Sequence, residues 1–361
     1  MAGRMIMEWI KEKGMVDKDF CASSYLVFRY IIDNEKDFVP NIKHRSYKLL
    51  PESERILVRD EYDIDCELKK QFDRLIFSGK KLGILLSGGM DSACLASYMD
   101  GMNAYTFRFL EGNSQKDELE RAESYAKRFH LILHYVDIDW STVKNNIDTV
   151  ICSKGAPVHS IEPQIYQAAM QAKSDGIDTM IIGDAADYVF GGMDGLHEKD
   201  WTYEEFKDRY TYLKPEMALM HPVDLEYAFA KYKRGEYIDF ISLMHEYTDI
   251  ESYASYDNAF AAADMDYLDP YEALKMAEPL DLERIRQGES KYLIRALFRL
   301  KYPRMNVPNK LPMPRPVDAY FDKWEGPTRK EFKKNIDLSK FTGNQKWLLW
   351  CLEYFFNYVD S

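Results

Sequence analysis

The chain has 361 residues, of which 46% are hydrophobic and 30% charged, and its formal net charge is -12. This length predicts one large or two moderate domains. The acidic balance opposes non-specific binding to phosphate backbones, so nucleic acid is not an expected partner.

Membrane association is not expected either, because the apolar runs fall short of the ~20 residues that span a bilayer. The five cysteines are scattered without a CxxC pair, which favours a reducing compartment over a disulfide framework or a zinc site. The N-terminal segment has charges among its apolar residues and so lacks the apolar core of a signal peptide. A cytoplasmic location is the resulting expectation.

The chain divides into three parts by pattern. Residues 1–75 are predicted to form an N-terminal helical and linker segment, which leads into an amphipathic helix over 61–80. Residues 76–200 alternate between strand and helix patterns every 15 to 30 residues. Strands are predicted at 81–87, 103–109, 131–139 and 178–184, with helices at 91–101, 116–130 and 162–176. This alternation predicts an α/β core with a parallel sheet and helices on both faces.

Strand patterns vanish after about residue 200. Apolar residues recur at helical spacing in 201–220, 290–302 and 344–360, so residues 201–361 are predicted to form a mostly helical C-terminal region. The segment 308-PNKLPMPRP-316 is too rich in proline for a helix or a central strand and must be a loop.

The turn between the first predicted strand and helix of the core has the sequence Ser87-Gly88-Gly89-Met90-Asp91-Ser92. Two glycines let the backbone approach a ligand and point N–H groups at it, and the serines add hydroxyl donors. A phosphate group is the expected ligand, with Mg²⁺ between it and Asp91. No lysine follows the glycines, so the loop differs from the GxxxxGK[ST] loop of the common mononucleotide-binding proteins. A loop of backbone amides and hydroxyls suits a pyrophosphate that leaves as a unit. The alternative is a tight turn with a serine or aspartate as N-cap.

The motif SGGMDS resembles the SGGxDS loop of the ATP-pyrophosphatase superfamily, whose members adenylate a substrate and release pyrophosphate. A second motif, 181-IIGDAADYVFGG-192, is similar to the signature of the asparagine synthetases. Ala185 and Tyr188 depart from that signature, where the family has Gly and Glu. A third match covers 290–316, where Lys291 and Lys310 fall on the family's conserved lysines.

The resemblance implies an adenine nucleotide alpha hydrolase-like fold and a site for ATP and Mg²⁺. It implies that Asp91 and Asp187 hold the metal, that Lys291 is a phosphate contact, and that Lys310 is the catalytic lysine at the acyl-adenylate. The full set of nucleotide contacts implied is Leu86, Ser87, Gly88, Gly89, Asp91, Ser92, Phe107, Gly183, Asp184 and Lys291.

The acid–base residue is open at this stage. Glu162 is the nearest carboxylate to the family's position, and an amine base, a Mg²⁺ ligand and an N-cap are equally compatible roles; ungapped register places Ala156 or Cys152 there instead. His159 is a further candidate, although a lone histidine is more often structural. The family's stretch GLEARVPFLD is replaced by 264–274, with Leu268 in place of Arg. The altered stretch favours a substrate other than plain aspartate.

No glutaminase domain is expected, because fewer residues precede Ser87 than the ~100–150 of a typical domain, and Cys21 is internal. The nitrogen would come from free ammonia, from a separate glutaminase subunit or from an amine. The predicted function is an ATP-dependent amide ligase that adenylates a small-molecule carboxylate and forms AMP and pyrophosphate. The alternatives are a tRNA- or nucleotide-modifying enzyme with the same loop and a non-catalytic ATP-binding subunit.

Overall fold

A computed structural model of the protein describes residues 15–111, 115–309 and 315–361. The strands are, in chain order, β1 (Met15–Val16), β2 (Lys36–Asp37), β3 (Ile56–Val58), β4 (Leu82–Leu85), β5 (Asn103–Phe109), β6 (Ile132–Ile138), β7 (Thr179–Ile181), β8 (Lys233–Arg234), β9 (Tyr237–Ile238), β10 (Asp266–Leu268) and β11 (Leu274–Met276).

The helices are, in the same order, α1 (Lys18–Phe28), α2 (Glu61–Phe77), α3 (Met90–Ala96), α4 (Lys116–Arg128), α5 (Trp140–Lys154), α6 (Glu162–Ser174), α7 (Ala185–Val189), α8 (Asp194–His197), α9 (Tyr203–Tyr210), α10 (Glu226–Ala230), α11 (Phe240–Ala262), α12 (Leu282–Arg286), α13 (Tyr292–Lys301), α14 (Val317–Tyr320) and α15 (Gly343–Asp360). Among the residues that the structure describes, no helix is both long and apolar enough to cross a membrane.

The predicted parallel sheet is confirmed. Five strands lie in the order β10-β7-β4-β5-β6, and each neighbouring pair is parallel. β4 lies at the centre, with β5 on one side and β7 on the other. The chain therefore leaves β4 at a point where the strand order reverses, and ligands of open α/β sheets bind beyond such a point.

Helices cover both faces of the sheet, as the sequence predicted. Side chains alternate between the faces along a strand. Accordingly, Ala104 and Ile181 belong to a core cluster with α2, α3, α4 and α13, whereas Tyr105 and Met180 belong to a cluster with α6 and α11. A third, aromatic-rich cluster joins α1, α9, part of α11 and α15. The C-terminal region is mostly helical, as expected.

The sheet extends beyond the range predicted for the core. Its edge strand, β10, comes from residues 266–268 and pairs with β7 in parallel. Strands were expected to end near residue 200, and β10 shows that this expectation was wrong. The strand was missed because three residues are too few to show an alternating pattern in the sequence. In addition, the connection from β6 to β7 contains α5 ahead of the predicted α6.

The packing of α13 into the core cluster that it shares with α3 and α4 can be tested at Phe298. Its side chain is fully buried, and its ring stacks on Tyr302 with centroids 4.6 Å apart. We expect Phe298→Ala to lower the free energy of unfolding by about 3–5 kcal/mol through the cavity it leaves, as measured by urea denaturation. The control is Leu300→Ala on the exposed side of α13, expected to cost under ~1 kcal/mol. Equal losses in the two variants would contradict this packing.

Candidate active site

An open cleft lies at the carboxyl ends of β4, β5 and β7. Asp187 lines it, and so do all the residues that the sequence assigned to the nucleotide. Those residues are Leu86, Ser87, Gly88, Gly89, Asp91, Ser92, Phe107, Gly183, Asp184 and Lys291. The fold thus brings together side chains that lie about two hundred residues apart in the chain, while their roles remain predictions.

The loop at 87–92 is held by its own serines. The Ser87 N–H donates to Ser92 Oγ at 3.0 Å, and the Gly89 N–H donates to Ser87 Oγ at 3.1 Å. Gly89 is the N-cap of α3 and makes no side-chain capping bond. The alternative of a serine or aspartate N-cap is therefore not what the structure has, and the hydroxyls instead shape the loop.

Gly88 lies against α4 with no room for a side chain. A Cβ at this position would lie 2.6 Å from the backbone oxygen of Glu118 and 2.8 Å from its Cα. The carbonyl oxygen of Gly88 also accepts a hydrogen bond from Arg121 Nε at 2.9 Å. The absence of a Cβ at Gly88 thus lets the loop rest directly on a helix backbone.

Lys291 lies between the two carboxylates that were predicted to hold a metal. Its Nζ is 2.6 Å from Asp91 Oδ2 and 3.1 Å from Asp187 Oδ1, and the side chain is only 2% exposed. Burial opposes the charge, but Asp187 and Asp91 outweigh it and raise the pKa of Lys291 above its usual value. The ammonium group therefore stays charged at neutral pH.

The backbone of Lys291 is in the left-handed region, with φ of 51°. Such a conformation costs a non-glycine residue of order 1–3 kcal/mol and is concentrated at functional sites. It marks the start of α13 and aims the ammonium group at Asp91 and Asp187.

The glycine pair of the second motif makes room for this arrangement. A Cβ on Gly192 would lie 2.0 Å from Asp187 Oδ1 and 2.9 Å from Lys291 Cδ. Gly191 has φ of +78°, which glycine adopts without strain. The two glycines therefore allow Asp187 and Lys291 to meet.

Two tyrosine hydroxyls connect α3 to its neighbours. Tyr302 donates to the carbonyl oxygen of Ala93 at 2.7 Å, and Tyr271 donates to the carbonyl oxygen of Asp91 at 3.0 Å. Because Tyr302 directly follows α13, this bond fixes the distance between the helices that carry Asp91 and Lys291.

The donor set in the cleft fits Mg²⁺. Asp91 and Asp187 already converge on one cation, the ammonium group of Lys291. The described residues contain no group of three or more His, Cys, Asp or Glu side chains that could hold a metal. Mg²⁺ is typically bound by one or two carboxylates together with phosphate oxygens and water, so two carboxylates are sufficient here.

Asp184 lies half-buried in the wall of the cleft. Burial, together with the nearby charges of Asp187 and Glu251, raises the pKa of this carboxyl to about 7. Its Oδ2 accepts a hydrogen bond from Ser252 Oγ at 2.6 Å. Asp184 therefore changes charge near neutral pH.

Glu162 does not line the cleft. Its buried carboxylate accepts hydrogen bonds from Lys154 Nζ at 2.6 Å and Asn258 Nδ2 at 2.6 Å. Ile161, not Glu162, is the N-cap of α6. The side chain thus joins α5, α6 and α11, and the structure does not bring it to the predicted nucleotide site.

Lys310, the predicted catalytic lysine, lies outside the described residues. The two residues before it, Pro308 and Asn309, line the cleft. The chain therefore reaches the cleft directly before Lys310.

Sequence reasoning missed several residues of the cleft, which are Thr106, Gln115, Glu118, Arg121 and Tyr256. Arg121 is the clearest case, because it contacts the glycine loop. The available signal was its place in the first turns of α4, the helix that follows β5, since such turns lie at the ligand edge of a parallel sheet.

The family model described as asparagine synthase matches residues 63–323. A curated relative from Methanocaldococcus jannaschii, named "Putative asparagine synthetase (glutamine-hydrolyzing) 1", is 25% identical over 187 residues. That match covers 49% of this chain and 32% of the relative, so it spans about a third of the relative's length.

Among solved structures, NMN synthetase from Francisella tularensis is similar at 15% identity with a TM-score of 0.29. The match covers 72% of this chain and 99% of that one. The fold described above therefore does not rest on this similarity.

The packing of the glycine loop gives a direct test. We expect Gly88→Ala to weaken ATP binding about 10-fold to 100-fold, because the new Cβ would displace the loop from α4. The matched control is Gly89→Ala, whose Cβ would approach Ser87 Oγ alone among the described residues, at 3.1 Å, and should cost a few-fold at most. Equilibrium binding of ATP measures both, and equal effects would contradict the assigned packing.

The raised pKa of Asp184 predicts a pH dependence of stability. In the folded state the carboxyl of Asp184 keeps its proton up to about pH 7. In the unfolded chain the same carboxyl releases its proton near pH 4. Stability is therefore lost as pH rises from about 4 to 7 and stays lower above that. We expect Asp184→Asn to remove this loss, so that its stability relative to wild type grows by roughly 2–3 kcal/mol between pH 5 and 8. Urea denaturation at both pH values measures it, and a constant difference would refute the shift.

Proposed function

Because this chain belongs to the asparagine synthase family, we propose that it is an ATP-dependent ligase that joins nitrogen to a substrate carboxylate. Members of this family are ATP-using synthetases. In the proposed reaction the substrate is adenylated, and AMP and pyrophosphate are the products. The substrate is a small-molecule carboxylate, and the nitrogen comes from ammonia or an amine.

The observation that carries this proposal is the meeting of three motifs in one cleft. The glycine loop, Asp187 and Lys291 lie far apart in the chain, yet Asp91 and Asp187 both contact Lys291 Nζ within 3.1 Å. Pro308 and Asn309 bring the chain to the same cleft directly before Lys310. A non-catalytic protein that had retained only the fold would not need these charged groups to lie together.

In the first step, an oxygen of the substrate carboxylate attacks the α-phosphorus of ATP. The new O–P bond forms as the bond between the α-phosphorus and the oxygen that bridges it to the β-phosphorus breaks. Pyrophosphate departs with the electron pair of the broken bond. The backbone N–H groups and the serine hydroxyls of 87–92 bind the pyrophosphate, and the Lys291 ammonium balances its charge. Mg²⁺, held by Asp91 and Asp187, would neutralise further phosphate charge when bound.

In the second step, ammonia or an amine attacks the acyl carbon and AMP leaves. Lys310 stabilises the charge that develops on the tetrahedral intermediate. The attacking nitrogen must lose a proton, and Asp184 is a candidate base because its carboxyl lies in the cleft wall with a pKa of about 7. A base works best when its pKa lies near the working pH. Glu162 is not assigned this role, because its carboxylate is bound to Lys154 and Asn258 away from the cleft.

The nitrogen donor in the proposed reaction has three possible sources. The name of the M. jannaschii relative includes glutamine hydrolysis, but the match spans 32% of that protein. Free ammonia, an amine acceptor and ammonia from a separate glutaminase subunit all fit the proposed chemistry.

The products distinguish this function from its alternatives. We expect carboxylate-dependent release of pyrophosphate and AMP from ATP and Mg²⁺, measured by chromatography of the nucleotides. Release of ADP would overturn the mechanism. ATP binding without turnover would favour a non-catalytic subunit, and turnover that requires tRNA would favour the RNA-modifying alternative.

Lys310 gives a second, residue-level test of the same reaction. We expect Lys310→Ala to lower kcat by about 10²–10³-fold, because a charge-stabilising contact to the intermediate is lost. The matched control is Lys340→Ala, which removes an exposed lysine whose ion pair among the described residues is with Asp337 at 3.4 Å, and it should leave kcat unchanged. Equal rates for Lys310→Ala and wild type would refute the role.

A further inference from the structure

Arg121 of α4 lines the cleft beside the glycine loop, and the proposed chemistry does not use it. Its Nε donates to the carbonyl oxygen of Gly88 at 2.9 Å. The hydroxyl of Tyr125, one turn further along α4, donates to the same oxygen at 3.4 Å. Tyr125 is buried, whereas Arg121 is half-buried. The arginine side chain is therefore fixed to the loop by one nitrogen and still faces the space of the cleft.

The guanidinium group of Arg121 has no carboxylate partner in the described structure. Across residues 15–111, 115–309 and 315–361, no acidic side chain forms an ion pair with it, and its two terminal nitrogens have no hydrogen-bond acceptor there. Burial raises the pKa of the nearby Glu118 carboxyl, and the charge of Arg121 offsets little of that rise. The positive charge of Arg121 is therefore not balanced by a protein group among the described residues.

The other cation of the cleft is already shared between two carboxylates. Lys291 Nζ lies 2.6 Å from Asp91 Oδ2 and 3.1 Å from Asp187 Oδ1, so its charge balances one of the two. Lys291 and Arg121 are the two cations among the described residues that line the cleft. An anion that enters the cleft therefore meets one cation that carboxylates already bind and one that they do not.

The bond to Gly88 places the guanidinium group at the loop itself. The proposed pyrophosphate ligands are the backbone N–H groups and the serine hydroxyls of 87–92, and Gly88 is the second residue of that loop. Because Gly88 has no Cβ, it packs on the backbone of Glu118. This close packing brings the second turn of α4, which carries Arg121, within reach of a ligand that the loop binds.

We propose that Arg121 binds the terminal phosphates of ATP through its two terminal nitrogens, so that the cleft selects a nucleotide that carries a pyrophosphate group. The inference rests on the proposed function and adds a specificity-determining residue to it. A planar guanidinium group binds phosphate oxygens through two parallel hydrogen bonds. Because Nε is already bound to Gly88, less side-chain entropy is lost when the phosphates bind. Arg121 would also balance the charge that pyrophosphate gains as it departs.

Binding can be measured without any reaction. The probes are AMP, inorganic pyrophosphate and α,β-methylene-ATP, which cannot release pyrophosphate, each titrated with Mg²⁺ into the full-length protein by isothermal titration calorimetry. We expect Arg121→Gln to weaken binding of α,β-methylene-ATP and of pyrophosphate at least 10-fold, because charged hydrogen bonds are lost. Binding of AMP, which lacks the terminal phosphates, should change less than 2-fold.

Two further variants separate a phosphate contact from a support of the loop. Arg121→Lys keeps the positive charge but loses the bond from Nε to Gly88, so we expect it to retain binding of α,β-methylene-ATP to within about 3-fold. The matched control, Lys127→Gln, removes an exposed positive charge from the last turn of α4 and should leave all three affinities unchanged. The melting temperatures of the unliganded variants should lie within about 2 °C of wild type.

Four results would overturn the inference. They are a wild-type protein that does not bind α,β-methylene-ATP, an Arg121→Gln variant that binds it as tightly as wild type, equal weakening of its binding and that of AMP, and equal losses in Arg121→Lys and Arg121→Gln. The last two would leave Arg121 as a support of the loop only. If the proposed function alone fails, the selective loss in Arg121→Gln would be present, but ATP would yield no pyrophosphate with any carboxylate.

Discussion

The contact of Lys291 with Asp91 and Asp187 is the interaction on which the candidate site depends. It joins the helix after β4, the short helix after β7 and the start of α13 at one buried ammonium group. A buried ion pair seldom adds net stability, because desolvation offsets the attraction, but removing one partner leaves a charge uncompensated. The contact therefore constrains geometry more than it stabilises the fold. Several local features serve it, including the missing side chain at Gly192 and the left-handed backbone of Lys291.

Helix α11 gives the cleft a second wall and links it to the ion pair of Arg29 and Glu251. Asn258, Ser252 and Glu251 of this one helix contact Glu162, Asp184 and Arg29 respectively. One helix therefore contacts the buried Glu162, the cleft wall and Arg29.

Much of the fold was readable from pattern, because its central strands are flanked by long amphipathic helices. The strand at 103–109 and the helices near 116–130 and 162–176 agree with β5, α4 and α6 within a few residues. The place of the predicted nucleotide contacts at one cleft was readable because motifs with fixed spacing fall directly after strands. β10 was not readable, since it has three residues and pairs with a strand more than eighty residues earlier. Arg121 was missed for a related reason, because a single arginine on a polar helix has no local sign of its contact with Gly88.

The sequence by itself determined the alternation of strand and helix, the glycine loop and the family resemblance, because each depends on residues close together in the chain. Only the tertiary structure decided which distant groups meet. It brought Lys291 to Asp91 and Asp187, it buried Glu162 against Lys154 instead of opening it to the cleft, and it placed Arg29 and Arg315 on the imidazole of His159. Such contacts are set by the packing of helices on a sheet, and spacing along the chain contains no information about them.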